Sequence, residues 1–223
     1  MHKSAIFYAR TFFETYLEDR SDLTIAEIGS QDVNGSLRDF APSGHTYIGL
    51  DFQDARGVDV VLSDPYELPL GDGSVDVVVS SSCLEHSEFF WLVYLEVARV
   101  LKPGGLFYLN VPSNGPFHRY PVDCWRFYPD SAHALARWGR RNGHEMTVLE
   151  SFVDVRGAGS WNDMVSVHLK GVDTAAYPDR MQDRLGPRDG HVLFFNGRRG
   201  DEDAVVELRA TWERPAPSSA GGG

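Results

Sequence analysis

The chain has 223 residues, the size of one ordinary domain. With 42% hydrophobic and 12% aromatic residues it can bury a full core, which excludes global disorder. Its 21 Lys and Arg stand against 32 Asp and Glu, a formal net charge of −11; such a field repels phosphate backbones and argues against a nucleic-acid partner.

In chain order, apolar residues at three- and four-residue steps (Ile6, Ala9, Phe13, Tyr16, Leu17) predict a helix over residues 5–18. Strands are expected over 23–28, 47–51, 58–62 and 75–79, with a short helical stretch around Leu37 and Phe40. The β-branched run at 75–79 suits a strand covered on both faces. A second helix is expected over 88–101, stopped by Lys102-Pro103-Gly104-Gly105, followed by a strand over 106–111. Asp130 or Ser131 should cap a third helix running to Arg141, with Gly143 just past its end. Two more strands are expected over 146–153 and 164–169, and 191–195 with 204–212 read as a hairpin around Asn196-Gly197. Alternating strands and helices imply right-handed βαβ crossovers and a mainly parallel sheet.

Two cysteines, Cys83 and Cys124, make neither a disulfide framework nor a metal spacing, and each reads as a small packing residue. The scattered histidines form no H-x-x-x-H pattern, so no metal is expected. No apolar run approaches the roughly 20 residues of a membrane span, and Met1-His2-Lys3-Ser4 does not open an apolar signal core. The expectation is a soluble cytoplasmic protein with no membrane partner.

Ligands of open α/β sheets sit beyond the carboxyl ends of the strands, where strand order reverses. The first loop to inspect is Glu27-Ile28-Gly29-Ser30-Gln31-Asp32-Val33-Asn34-Gly35, whose glycines let a ligand approach the backbone. Asp51 ends the next strand, 22 residues after Gly29, and is the residue type that accepts hydrogen bonds from ribose hydroxyls. A nicotinamide enzyme should show G-x-G-x-x-G, but Gln31 stands where the second glycine belongs. A nucleoside cofactor without pyrophosphate fits better.

Taken together, these motifs resemble the class I S-adenosylmethionine-dependent methyltransferases. The resemblance covers residues 24–138, about half the chain, and rests on Ala26-Glu27-Ile28-Gly29-Ser30 with Gly35; Gly49-Leu50-Asp51; Ser63-Asp64-Pro65 with Leu68-Pro69-Leu70; Val75-Asp76-Val77-Val78-Val79 followed by Cys83-Leu84-Glu85-His86; and Val100-Leu101-Lys102-Pro103-Gly104-Gly105. It implies a Rossmann-like fold with a mostly parallel sheet of about seven strands, the last one antiparallel, and helices on both faces. It also implies S-adenosylmethionine as cofactor. Glu27, Gly29, Ser30, Gln31 and Gly35 would surround its methionine part. Asp51 would hold the ribose, with Phe52 against the adenine, Asp64 at its amino group beside Pro65, and Ser81 and Ser82 beneath. The domain organisation that follows is an N-terminal helix (1–22) over the cofactor site, a core (23–170), an extension (171–215) and a flexible tail (216–223).

Residues 110–127 then carry a dense polar and aromatic segment, His118-Arg119-Tyr120-Pro121-Val122-Asp123-Cys124-Trp125-Arg126-Phe127 included. It resembles an H-x-Y-P-x-D-x-W-R-F segment of methyltransferases associated with polysaccharide or glycoside biosynthesis, which implies an acceptor-side element. His118 is the candidate base, because a histidine is largely neutral near pH 7 and can take a hydroxyl proton. Asp123 would orient it or act as base itself; the competing reading pairs Asp123 with Arg126 or Arg119. His86 either caps the following helix or faces the acceptor. Trp125 and Phe127 read first as core anchors, and Arg137, Arg140 and Arg141 as a solvated helix end.

The functional expectation is O-methylation of a small-molecule acceptor, a sugar or glycosylated metabolite of secondary metabolism. N- or C-methylation of another natural-product intermediate, a non-catalytic S-adenosylmethionine-binding protein, and a nicotinamide oxidoreductase are the alternatives. A homodimer is left open.

Overall fold

Residues 3–154, 161–185 and 192–195 are described by a computed structural model. The run Val75–Ser81 forms the middle strand β4, because alternate valines can be buried on opposite faces of a pleated strand. Around it lie β1 (Thr24–Ile28), β2 (Thr46–Asp51), β3 (Val60–Val61), β5 (Leu101–Pro112), β6 (Met146–Asp154), β7 (Asp163–Lys170) and β8 (Val192–Phe195). The helices are α1 (Lys3–Tyr16), α2 (Phe90–Val100), α3 (Pro129–Arg141) and the short α4 (Met181–Leu185).

The eight strands form one sheet in the order β3-β2-β1-β4-β5-β7-β6-β8. Strands β3, β2, β1, β4 and β5 are mutually parallel, and β7 runs antiparallel between β5 and β6. The mostly parallel sheet with an antiparallel seventh strand is therefore present, with one strand more than expected. Residues 192–195 add to the edge of β6. Their expected hairpin partner, 204–212, and the 216–223 tail lie outside the described residues.

Burial divides the core by the sheet's two faces. Val78 and Leu109 pack with Val93, Val97 and Leu135 of α2 and α3. Val77, Val79 and Tyr108 pack on the other side with Phe12, Phe13 and Leu17 from α1 and its end. Each such side chain contributes roughly 1.5–3 kcal/mol by leaving water. Glu150, on β6 within this second layer, ties three elements together: it accepts from Tyr16 Oη at 2.6 Å and from the Met181 and Gln182 amides at 2.8 and 3.2 Å.

Three local expectations are corrected. The cap of α3 is Tyr128, not Asp130 or Ser131; Pro129 opens the helix, since its fixed φ and missing N–H suit the first helical turn. Residues 102–105 do end α2, but they belong to β5 as a bulge: Leu101 pairs with Val75 and Leu106 with Val77. The third strand shrinks to two residues at the edge beside β2.

His168 on β7 is fully buried, with Tyr94 Oη 3.0 Å from Nδ1 and Ser166 Oγ 3.1 Å from Nε2. Burial pushes its pKa down to about 3. The unfolded chain therefore binds a proton that the fold refuses, so the stability His168 allows is complete above about pH 6.5 and lost as pH falls toward 3. Between pH 7 and pH 5 His168→Gln should lose roughly 2 kcal/mol less stability than the wild type, read from urea unfolding at both pH values.

Candidate functional site

Strand order reverses between β1 and β4, and a cavity of about 320 Å³ opens there at the carboxyl ends of the strands. Its floor is a tight turn. Gly29 has φ +80°, and a Cβ there would lie 2.6 Å from the Cβ and Sγ of Cys83, so only glycine fits between β1 and the loop after β4. The Gly29 and Ser30 amides donate to the Leu50 carbonyl at 2.9 and 3.2 Å, which holds the turn against β2.

Of the expected cofactor residues, Glu27, Gly29, Gln31, Gly35, Asp51, Phe52, Pro65, Ser81 and Ser82 line this cavity. Ser30 lies behind the wall, 2% exposed, and its hydroxyl packs where a Cβ on Gly49 would stand. Asp64 is exposed and accepts from the Tyr66 amide at 2.8 Å, outside the lining. Helix α1 packs on the sheet face; none of its residues lines the cavity, although Ile6 lies within 3.8 Å of a Cβ built on Gly35.

Asp51 is buried at the tip of β2, its Oδ2 accepting from the Gln31 amide at 3.3 Å and its Oδ1 from the Gln53 amide at 3.1 Å. A carboxylate has about four acceptor positions, so capacity remains for a ligand's hydroxyls. Glu27 is 3% exposed and accepts from Tyr47 Oη at 2.7 Å. Burial outweighs that bond and the nearby Arg38, and pushes its carboxyl up to about 7. Cys83 also faces the cavity, with its thiol deep enough that burial pushes it up to about 12.

The other wall comes from the segment after β5. Tyr120, Pro121 and Val122 line the cavity, and Tyr120 Oη donates to Gln31 Oε1 at 3.2 Å, joining the two walls. Anchors hold the segment: Cys124 and Trp125 amides donate to the Glu85 carbonyl at 2.8 and 3.2 Å, Trp125 Nε1 to Ser87 O at 2.9 Å, and buried Phe127 meets Phe90 at 4.9 Å. Trp125 and Phe127 are thus anchors.

His118 and Asp123 come together but do not line the cavity. Asp123 Oδ2 accepts the His118 amide at 2.7 Å and lies 3.3 Å from His118 Nδ1. Arg126 donates to both Asp123 oxygens, at 2.5 and 2.8 Å, and this holds the carboxyl well below the usual range. A carboxylate so stabilised orients partners and is a poor proton acceptor. The imidazole that reaches the cavity is His86, with Nδ1 on the Val122 carbonyl and Nε2 left over. Burial lowers its pKa, and its ring meets His118 edge-on at 4.8 Å. Tyr66 carried no signal beyond its place after Pro65, while Tyr120 and Val122 belong to the 118–127 segment expected at the acceptor side and were not singled out within it.

Residues 34–109 match the family model described as a methyltransferase domain. The chain is 33% identical over 147 residues to a Mycobacterium ulcerans protein described as a methyltransferase, covering 56% of this chain and 57% of that one. A Mycolicibacterium gilvum protein of the same description is 32% identical over 125 residues, covering 56% of this chain and 45% of that one. This chain thus spans about half the length of these curated relatives. Among solved structures, Burkholderia thailandensis 1,6-didemethyltoxoflavin-N1-methyltransferase, bound to 1,6-didemethyltoxoflavin and S-adenosylhomocysteine, superposes with a TM-score of 0.60 at 16% identity, covering 76% of this chain and 80% of that one. The [4+2]-cyclase SpnF superposes with a TM-score of 0.56 at 15% identity, over 75% and 82% of the two chains. The architecture is the Rossmann-like class I methyltransferase fold.

Because Glu27 must lose its proton inside the fold at a higher pH than in the unfolded chain, it costs stability as pH rises from about 4.5 through 7. Glu27→Gln, which keeps an acceptor for Tyr47, should gain about 2 kcal/mol more over the wild type at pH 8 than at pH 5, measured by urea unfolding of the ligand-free protein.

Proposed function

We propose that the protein is an S-adenosylmethionine-dependent methyltransferase for a small-molecule acceptor. The observation that carries this reading is the acid-lined, phosphate-averse cavity at the strand tips. Glu27 and Asp51 line it and, among the described residues, no Lys or Arg does. That donor set fits a ribose and a positive sulfonium and disfavours a pyrophosphate, which separates this reading from a nicotinamide enzyme.

When bound, the cofactor supplies an already activated methyl carbon. Asp51 holds the ribose hydroxyls, Phe52 and Pro65 flank the adenine, and Glu27 with the Gly29–Gln31 turn attracts the methionine end. Ser30 acts there through its backbone, its side chain being turned away. Asp64 supports the Pro65-Tyr66 turn and reaches the adenine end only from outside the lining. The chain's main task is to align donor and acceptor and exclude water, worth on the order of 7–11 kcal/mol.

The acceptor enters between His86, Tyr120 and Val122. Acceptor hydroxyl, with a sugar or glycoside as the preferred class, rests on the His118–Phe127 segment. His86 and His118 provide for its proton, Asp123 positions His118, and N- or C-methylation is the alternative outcome of an acceptor screen. A role without methyl transfer, down to plain S-adenosylmethionine binding, is the second reading; the [4+2]-cyclase on the same fold illustrates that the architecture does not dictate methyl transfer.

Calorimetric titration with S-adenosylhomocysteine and S-adenosylmethionine tests the reading. Binding of both is expected, and Asp51→Ala should weaken it roughly a hundredfold, because a buried ribose loses charge-assisted hydrogen bonds. No binding, or unchanged affinity in Asp51→Ala, overturns it. His118→Ala should lower turnover at least tenfold with cofactor affinity unchanged.

A further inference from the structure

We propose that Glu85, His86 and His118 form a binding site for one divalent transition-metal cation of the Zn²⁺ type, at the acceptor end of the cavity. Each residue offers one ligand atom, and the three atoms lie within 4.8 Å of one another. The site itself stands on geometry alone; only its task toward an acceptor rests on the methyltransferase reading.

Two buried atoms in this cluster have no hydrogen-bond partner, Glu85 Oε2 and His118 Nδ1. Glu85 is 1% exposed, and its Oε1 is 3.7 Å from His86 Nε2, so the carboxyl group faces the histidines. Asp123 Oδ2 stands 3.3 Å from His118 Nδ1 without hydrogen-bond geometry. A buried polar atom left unpaired is costly, and a cation shared by the three groups would satisfy both.

The surroundings are built for ligation. The Val122 carbonyl occupies His86 Nδ1 and leaves Nε2 as the ligand atom, the usual outer-sphere support of a metal-bound imidazole. The Glu85 carbonyl accepts from the Cys124 and Trp125 amides, which fixes the acceptor-side segment against the Glu85-His86 pair. Charge is also favourable. Asp123 and Asp163 act on Glu85 together with Arg126, and Arg126 is already engaged by both oxygens of Asp123. Asp123 and Arg126 cancel, which leaves Asp163 as the acid acting on the pocket in a cation's favour.

Ligand atoms on a tetrahedral ion at about 2.1 Å stand about 3.4 Å apart, so small side-chain rotations would close the present spacing. Two imidazoles and one carboxylate select a borderline cation over Mg²⁺ or Ca²⁺. Three protein ligands leave a coordination position open, and His86 places it toward the cavity, where an acceptor oxygen or water would fill it. With the cation bound, His86 and His118 act as ligands and not as proton acceptors.

The test uses the full chain, stripped with a chelator, then titrated with Co²⁺ and dialysed against Zn²⁺. One equivalent of metal with a visible Co²⁺ absorption is expected. His118→Gln, at a partly exposed position, should weaken uptake at least tenfold, and Glu85→Gln and His86→Gln should abolish the absorption. No stoichiometric uptake, or uptake unchanged in a His86→Gln/His118→Gln double variant, overturns the site. Parallel titration with S-adenosylhomocysteine reports folding and keeps the two readings apart. Metal uptake without nucleoside binding removes the methyltransferase reading and leaves the cation site standing; the reverse removes the cation site alone.

Discussion

The site depends on one close approach. At the tip of β1 the chain turns at Gly29 so near Cys83 that no Cβ can be inserted. This lets β1 and β4 separate only beyond their last paired residues, Ile28 and Ser80, and it fixes where the cavity begins. The strand-tip wall of the cavity is placed from that point. Asp51 ends the neighbouring strand in register, Gln31 leaves the turn with its amide on that carboxylate, and Ser81 and Ser82 leave β4 on the opposite side.

The second organising element is the segment after β5, which crosses the far side of the cavity and is held by the backbone of Glu85 and by Phe127 in the core. It brings a carboxylate, two imidazoles and a neutralised guanidinium into one cluster beside the cavity. The cluster lies on the Tyr120–Val122 side of the cavity, apart from Glu27 and Asp51 at the strand tips. The fold thus gives one cavity two chemically different ends.

Most of the architecture was legible in the sequence because the strands of a parallel sheet are continuous β-branched runs, as at 75–79, and the turns between them carry glycine. What was not legible follows from contacts distant in sequence. The Lys102–Gly105 stretch reads as a plain stop, yet pairing of Leu101 with Val75 makes it a bulge inside a strand. Tyr128 became the α3 cap because Pro129 prefers the first helical position, which outweighed the better capping side chains of Asp130 and Ser131. In the site, Asp51 and Gly29 announced themselves by spacing. Ser30 and Asp64 carry the expected residue types but turn their side chains elsewhere, a matter of backbone direction that no motif encodes. Glu85 and His86 adjoin in sequence, but His118 joins them only through the path of the 113–128 segment, so their grouping has no linear signature.

Cys83 brings a further consequence. On the proposed reading the chamber would receive an alkylating reagent, and a sulfur nucleophile in its wall would be in danger of being modified itself. The thiolate is the reactive form, and the buried position of this sulfur keeps it protonated across the physiological range. The chamber therefore has a compact, polarisable wall against its glycine turn that stays unreactive toward an electrophile.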